Sequence, residues 1–294
     1  MSAKWLCPVI TVFDKDGNID YKGNERVWDH IIAGGIDGLV ILGSTGEFFA
    51  LTLQEKKDLI AHACTYLKGR TELIFGTGCE NMEDTVSLSN FALEHGAKAV
   101  MVVSPYYFNL SQQSLEKFYD DVATGINGDM YLYNYPDRTV HSIAPETAYN
   151  LAMRHKNIIG VKDSVGPMDH TRRMIDLIKP ERPDFIVYCG LDENFAHNVM
   201  SGGNGAVGGL SNVMPRLCAD MKDAVNAKDF DKVAALQKKI NRAVVMYGVS
   251  VPYIPAVKTV AKLLGIIDCD ACRAPILACD PQQAAALDAI IKSV

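Results

Sequence analysis

Eight short apolar runs, near-regular in spacing and separated by stretches of helical periodicity, leave this 294-residue chain few possible architectures. They lie at 6–13, 38–43, 73–77, 99–104, 130–134, 158–162, 185–190 and 205–209. A strand that is apolar nearly throughout has no solvent-facing side and needs cover on both faces. Strands alternating with helices provide that cover as a parallel sheet. Helix chemistry fills the intervals. Thr52-Leu53-Gln54-Glu55 has capping-box form, Pro145-Glu146 opens another helix, and Leu115, Phe118, Tyr119, Val122 and Ile126 recur at helical spacing. Eight such units closing on themselves make an α/β fold, the (β/α)8 TIM barrel. An open doubly wound sheet is the rival, but the regularity of the repeats and the long helical remainder favour closure.

After Pro215 the pattern is purely helical. Leu217, Met221 and Val225 mark one face, Phe230, Val233, Ile240 and Val244 a second, and Ile254, Val257, Ala261 and Leu264 a third. The expected organisation is one structural domain: a barrel over 1–213 and a C-terminal helical extension over 214–294 packed on it. A composition of 48% hydrophobic and 22% charged residues suits one large core.

A net charge of −6 with dispersed lysines and arginines argues against nucleic-acid and anionic-membrane partners. No apolar run reaches the length of a membrane span, and residues 1–8 lack a signal-peptide core, so a cytoplasmic location is expected. In that reducing setting the eight scattered cysteines read as small hydrophobes. Cys269, Cys272 and Cys279 cluster without a fourth ligand, and only His141 lies near a strand end, so no metal site is expected. Residues 203–208 spell Gly-x-Gly-x-x-Gly, but inside the last strand and with Pro215 before any helix. That context does not fit a dinucleotide site.

In such barrels the reacting groups sit at the C-terminal ends of strands. Lys162 ends the sixth run, where leaving water disfavours its ammonium and favours a nucleophilic amine able to form a Schiff base. It would attack the ketone of a 2-oxo acid. The loop Gly43-Ser44-Thr45-Gly46 offers N–H and O–H donors for the carboxylate, and Tyr133, read as lying across the barrel, can shuttle protons. Each residue also has a plainer reading: a solvated lysine, a helix-starting turn, a core tyrosine, and a surface pair for Arg138 with Asp137. Their joint occurrence at the ends of strands 2, 5 and 6 favours chemistry.

Gly43-Ser44-Thr45-Gly46-Glu47, Tyr133-Asn134-Tyr135-Pro136 and Gly160-Val161-Lys162-Asp163 resemble the signatures of the dihydrodipicolinate synthase / N-acetylneuraminate lyase superfamily of pyruvate-dependent class I aldolases. The resemblance runs from about Pro8 into the C-terminal helices. It implies Lys162 as the Schiff-base lysine, Tyr133 as the proton-transferring phenol, and Ser44 and Thr45 as carboxylate-binding and proton-relay hydroxyls. It implies no external cofactor, substrate contacts at Gly190 and at the backbone of Val207, and a homotetramer built as a dimer of dimers. In that assembly Tyr107 reaches a neighbouring subunit's site.

Two branches compete. Arg138, with the Tyr106-Tyr107 pair, resembles the dihydrodipicolinate synthases, where that arginine holds aspartate semialdehyde, although Val140 replaces the glycine usual there and Asp163-Ser164 replaces Glu-Ala. Gly190-Leu191-Asp192-Glu193-Asn194-Phe195-Ala196 resembles sialic acid lyases and 2-keto-3-deoxy sugar acid aldolases, in which Asp192, Glu193 and Ser164 bind the polyol tail. A carboxylate pair suits polyols because it accepts several O–H bonds. The alternative is that Asp192 caps a helix starting there. Gly209 stands where sialic acid lyases carry serine. The leading expectation is a 2-keto-3-deoxy sugar acid aldolase, followed by 4-hydroxy-tetrahydrodipicolinate synthase. A non-catalytic 2-oxo acid sensor comes last.

Overall fold

The computed structural model describes residues 2–294. Eight parallel strands form a closed barrel in sequence order: β1 (Lys4–Pro8), β2 (Gly38–Ile41), β3 (Glu72–Gly76), β4 (Ala99–Val103), β5 (Met130–Asn134), β6 (Ile158–Asp163), β7 (Ile186–Cys189) and β8 (Gly205–Val207). Closure is made by β1 against β8, with Lys4 opposite Gly205 and Leu6 opposite Val207. The expected fold is the observed one.

Seven of the eight runs differ in extent from their strands, five by one or two residues in all, and the first and last for reasons the structure shows. The first extends to Phe13, but pairing stops at Pro8, and the rest is a buried loop. The N–H of Val9 still reaches the Val40 carbonyl at 3.0 Å, and two further donors are met by side-chain amides: the N–H of Ile10 bonds Asn212 Oδ1 at 3.0 Å and that of Val12 bonds Asn24 Oδ1 at 3.1 Å. Apolar character reports burial, and a buried loop with satisfied donors is as apolar as a strand. The last run stops at Val207 because Gly209–Asn212 turns into a short 3-10 helix.

The helix Pro215–Ala227 packs on β1 and against the helices Tyr21–Ala33 and Phe195–Met200, so it covers the closing seam of the barrel. Helices Phe230–Ala243, Ile254–Leu263 and Pro281–Lys292 follow. Phe230, placed on a buried face by periodicity, is 64% exposed in the helix's first turn. A buried ion pair anchors the extension: Lys258 Nζ lies 2.5 Å from Glu47 Oε1, both side chains fully buried, and the N–H of Arg273 bonds Glu47 Oε2 at 2.9 Å. The chain after β2 is thus tied to residues more than two hundred positions later. Among the described residues no helix is long and apolar enough to cross a membrane.

Candidate active site

The register of the barrel places the central pair. On adjacent strands β5 and β6, Tyr133 is the partner of Lys162, so the two side chains emerge side by side and not across the barrel. Adjacent parallel strands keep partnered residues on one face. Lys162 is 5% exposed, and its Nζ stands 4.1 Å from the centre of the Tyr133 ring. The next residue, Asp163, alternates to the helix side. There it accepts from Asn134 Nδ2 at 2.7 Å, Thr171 Oγ1 at 2.6 Å and His170 Nδ1 at 3.0 Å. Burial alone would lower the His170 pKa, but the bond to Asp163 and its charge raise it. This network holds the end of β6, and with it Lys162, from behind.

The loop after β2 supplies the hydroxyls. Ser44–Gly46 forms one 3-10 turn, whose leading N–H groups have no acceptor within the turn. Ser44 Oγ lies 3.4 Å from the Tyr133 hydroxyl, and Thr45 Oγ1 lies 2.8 Å from the hydroxyl of Tyr253. Glu47 ends the turn in the left-handed region, at φ 55°, locked by Lys258. A cavity of about 150 Å3 opens beside Lys162, lined also by Thr45, Tyr133, Tyr135, Ser164, Gly190, Asp192, Glu193, Val207, Tyr247 and Tyr253. Ser164 reaches it only because residue 190 is glycine: a Cβ there would lie 1.9 Å from Ser164 Oγ.

The two carboxylates separate in role. Asp192 is 2% exposed and accepts from the N–H of Leu210 at 3.0 Å and the Tyr247 hydroxyl at 2.7 Å. Burial pushes its carboxyl up to about 7, against the lowering effect of these bonds. It makes no cap bond to the short turn Asp192–Asn194, so the helix-cap alternative does not describe it. Glu193 is half-buried at the cavity wall. The expected acid pair is thus one carboxylate engaged by the protein and one at the wall.

Arg138 and Tyr107 lie outside this cavity. Arg138 is exposed on the turn Pro136–Thr139, with its guanidinium 5.3 Å from the Tyr135 ring centre. It lines a neighbouring cavity of about 270 Å3 with Ser44, Phe48, Tyr106 and Tyr253. Val140, which closes that turn, is held at φ 59°, a conformation that glycine adopts without strain and a β-branched residue does not. Tyr107 is 84% exposed, with its ring edge-on to Phe108 at 4.9 Å. Tyr247 and Tyr253 went unread in the sequence. They lie between C-terminal helices, and no local spacing marks them as reaching the barrel mouth. Among the described residues no group of three or more His, Cys, Asp or Glu is placed to hold a metal ion.

Comparison with known proteins identifies the family. The model of the dihydrodipicolinate synthetase family matches residues 1–294. The probable 2-dehydro-3-deoxy-D-pentonate aldolase YjhH of Escherichia coli (strain K12) is 32% identical over 270 residues, covering 92% of this chain and 90% of that protein. The 4-hydroxy-tetrahydrodipicolinate synthase of Kosmotoga olearia is 35% identical over 232 residues, covering 79% of this chain and 78% of that one. The crystal structure of YagE from E. coli K12, a protein of the dihydrodipicolinic acid synthase family in complex with pyruvate, superposes with a TM-score of 0.96 at 30% identity. That superposition covers 99% of this chain and 98% of YagE.

Proposed function

This chain belongs to the dihydrodipicolinate synthetase family of carbon–carbon lyases, and from that premise we propose that it is a class I aldolase of 2-keto-3-deoxy sugar acids. The observation that carries the reading is the buried amine of Lys162 beside Tyr133, at the wall of a cavity whose polar lining includes hydroxyls and Glu193. Lys162 attacks the C2 ketone, and loss of water gives a protonated imine. Ser44 and Thr45, with the leading N–H groups of their turn, receive the C1 carboxylate. In cleavage a proton leaves the C4 hydroxyl and the C3–C4 bond breaks. Its electron pair becomes the C2–C3 double bond of an enamine as the imine nitrogen turns neutral, and the aldehyde departs. Tyr133 is placed to carry these protons. Protonation at C3 and hydrolysis then release pyruvate and the free lysine. The imine is the electron sink, so the reading requires neither metal nor nicotinamide.

Support for a sugar acid comes from Ser164 and Glu193 at the cavity wall, where an acceptor's hydroxyls find a donor and a carboxylate. The pentonate aldolase among the relatives points the same way. Arg138 favours the second reading, condensation of pyruvate with aspartate semialdehyde, because a guanidinium binds a carboxylate bidentately. The discriminating experiment has two parts. Borohydride reduction in the presence of pyruvate is expected to add one pyruvate-derived mass to the Lys162 peptide. The kcat/KM for 2-keto-3-deoxypentonate and 2-keto-3-deoxygluconate is expected to exceed that for condensation with aspartate semialdehyde. The reverse order, abolished by Arg138→Ala, would establish the second reading. The homotetramer implied by the resemblance is carried into this proposal: Tyr107, 84% exposed and absent from its own chain's cavity wall, is available to a second copy. Sedimentation velocity tests it.

A further inference from the structure

Two neighbouring cavities share one lining residue; their walls also adjoin where Ser44 meets Tyr133 and Arg138 lies over Tyr135. Of the side chains lining the 150 Å3 cavity at Lys162 and the 270 Å3 cavity at Arg138, only Tyr253 belongs to both. Its position is held from two sides. The hydroxyl bonds Thr45 Oγ1 at 2.8 Å, and the ring stands edge-on to Tyr247 with centroids 5.5 Å apart. Tyr247 is itself tied to Asp192 at 2.7 Å. The brace therefore runs from the loop after β2, through two aromatic rings of the C-terminal extension, to the end of β7.

The two spaces differ in chemistry. The Arg138 cavity has walls of Phe48, Phe49, Val103, Pro252 and Ile254 around a single cation. Ser44, Tyr106 and Thr139 add hydroxyls, but the guanidinium is what sets this space apart, and it suits an aldehyde carrying a carboxylate. The Lys162 cavity presents Ser164 and Glu193, which suit hydroxyls, and the Glu193 carboxylate repels an anion. We propose that Tyr253 is the specificity-determining partition of this enzyme. With its hydroxyl on Thr45, the ring separates the imine carbon from Arg138, so a hydroxylated aldehyde is the acceptor and an anionic one is excluded. This deepens the aldolase reading and rests on it. It also explains how one site carries an arginine suited to an anionic acceptor and acts on sugar acids.

The experiment compares Tyr253→Ala and Tyr253→Phe with the wild type. The readout is the ratio of kcat/KM for condensation of pyruvate with aspartate semialdehyde to that with glyceraldehyde. Borohydride trapping of pyruvate on Lys162 is measured in each protein to establish that the site is formed. Tyr253→Ala is expected to raise the ratio at least about tenfold by joining the two cavities. Adding Arg138→Ala to that variant is expected to return the ratio to the wild-type value, because the gain comes from the guanidinium. Tyr253→Phe keeps the ring but gives up the Thr45 bond, and a rise of about threefold is expected. A ratio unchanged in both Tyr253 variants while pyruvate is still trapped overturns the partition and leaves the aldolase standing. A rise that survives Arg138→Ala overturns it as well. Absence of any adduct in the wild type overturns the aldolase reading and the partition together.

Discussion

Among the described residues Lys56, Lys162 and Lys258 are buried, and the last two have contrasting surroundings. Lys258, fully buried, meets the Glu47 carboxylate at 2.5 Å, donates to the Ala271 carbonyl at 2.8 Å and lies 4.3 Å from the Phe13 ring centre. Lys162, 5% exposed, has the face of Tyr133 at 4.1 Å and an open cavity. The first is held by an opposite charge and ties the C-terminal extension to the barrel. The second is held by a ring face, a weaker interaction of about 0.5–2 kcal/mol, and so keeps an amine available to a ligand. Burial alone does not make a lysine reactive. What matters is whether the protein has already given it a partner.

Removing each lysine tests that contrast. Lys162→Ala is expected to lower turnover by at least about ten-thousand-fold, the scale seen when a covalent nucleophile is lost. The melting temperature should change little, because no buried counter-charge is left behind. Retained turnover, or loss of the fold, would merge the two lysines into one class. Lys258→Ala should do the opposite, destabilising the protein by about 3–5 kcal/mol because Glu47 remains buried without its cation. Denaturant unfolding measures this, and Lys258→Met combined with Glu47→Gln should recover most of the loss. A cost under about 1 kcal/mol would show the pair to be no stronger than a surface one.

The neighbours of Lys162 sharpen the comparison further. Tyr133→Phe retains the ring under the amine and removes only the hydroxyl. A fall in kcat of about a hundred- to ten-thousand-fold with an unchanged circular dichroism spectrum is expected. Near-normal turnover would assign Tyr133 to packing. The smallest effect concerns a carboxylate. Glu47 faces a cation, but Asp192 is bonded only by the neutral donors Tyr247 and the Leu210 N–H, and burial, reinforced by the charge of Glu193, lifts its carboxyl from 3.8 to about 7. The folded state therefore holds this proton more tightly than the unfolded chain. The stability it contributes is full below pH 3.8 and is lost as the pH rises through 7. Between pH 5 and 8 the melting temperature of the wild type should drop by a few degrees more than that of Asp192→Asn. Equal slopes would show that Asp192 is ionised throughout.

Much of the site was legible because barrel strands report in a simple way. An apolar run ending in Lys162, and another ending in Tyr133 and Asn134, place both side chains at the barrel mouth once strand and helix alternate eight times. Ser44 and Thr45 follow a strand in the same fashion. Arg138 and Asp192 were equally visible as residues, but their roles were not. Arg138 sits on a turn that carries it into the neighbouring cavity, and Asp192 is engaged by Leu210 and Tyr247. A charge can be read from a sequence; the donors around it cannot.

By itself the sequence determined the alternation of strands and helices, the closure of the barrel, and which candidate groups stand at the strand ends. These depend on periodicity and on order along the chain, both local properties. Only the tertiary structure decided that Tyr253 meets Thr45 across 208 residues, that Lys258 rather than solvent neutralises Glu47, and that Tyr133 stands beside Lys162 instead of opposite it. Those contacts join segments with no shared spacing. They are set by how the extension packs over the barrel and by the pairing order of its strands, and neither leaves a mark on the residues nearby.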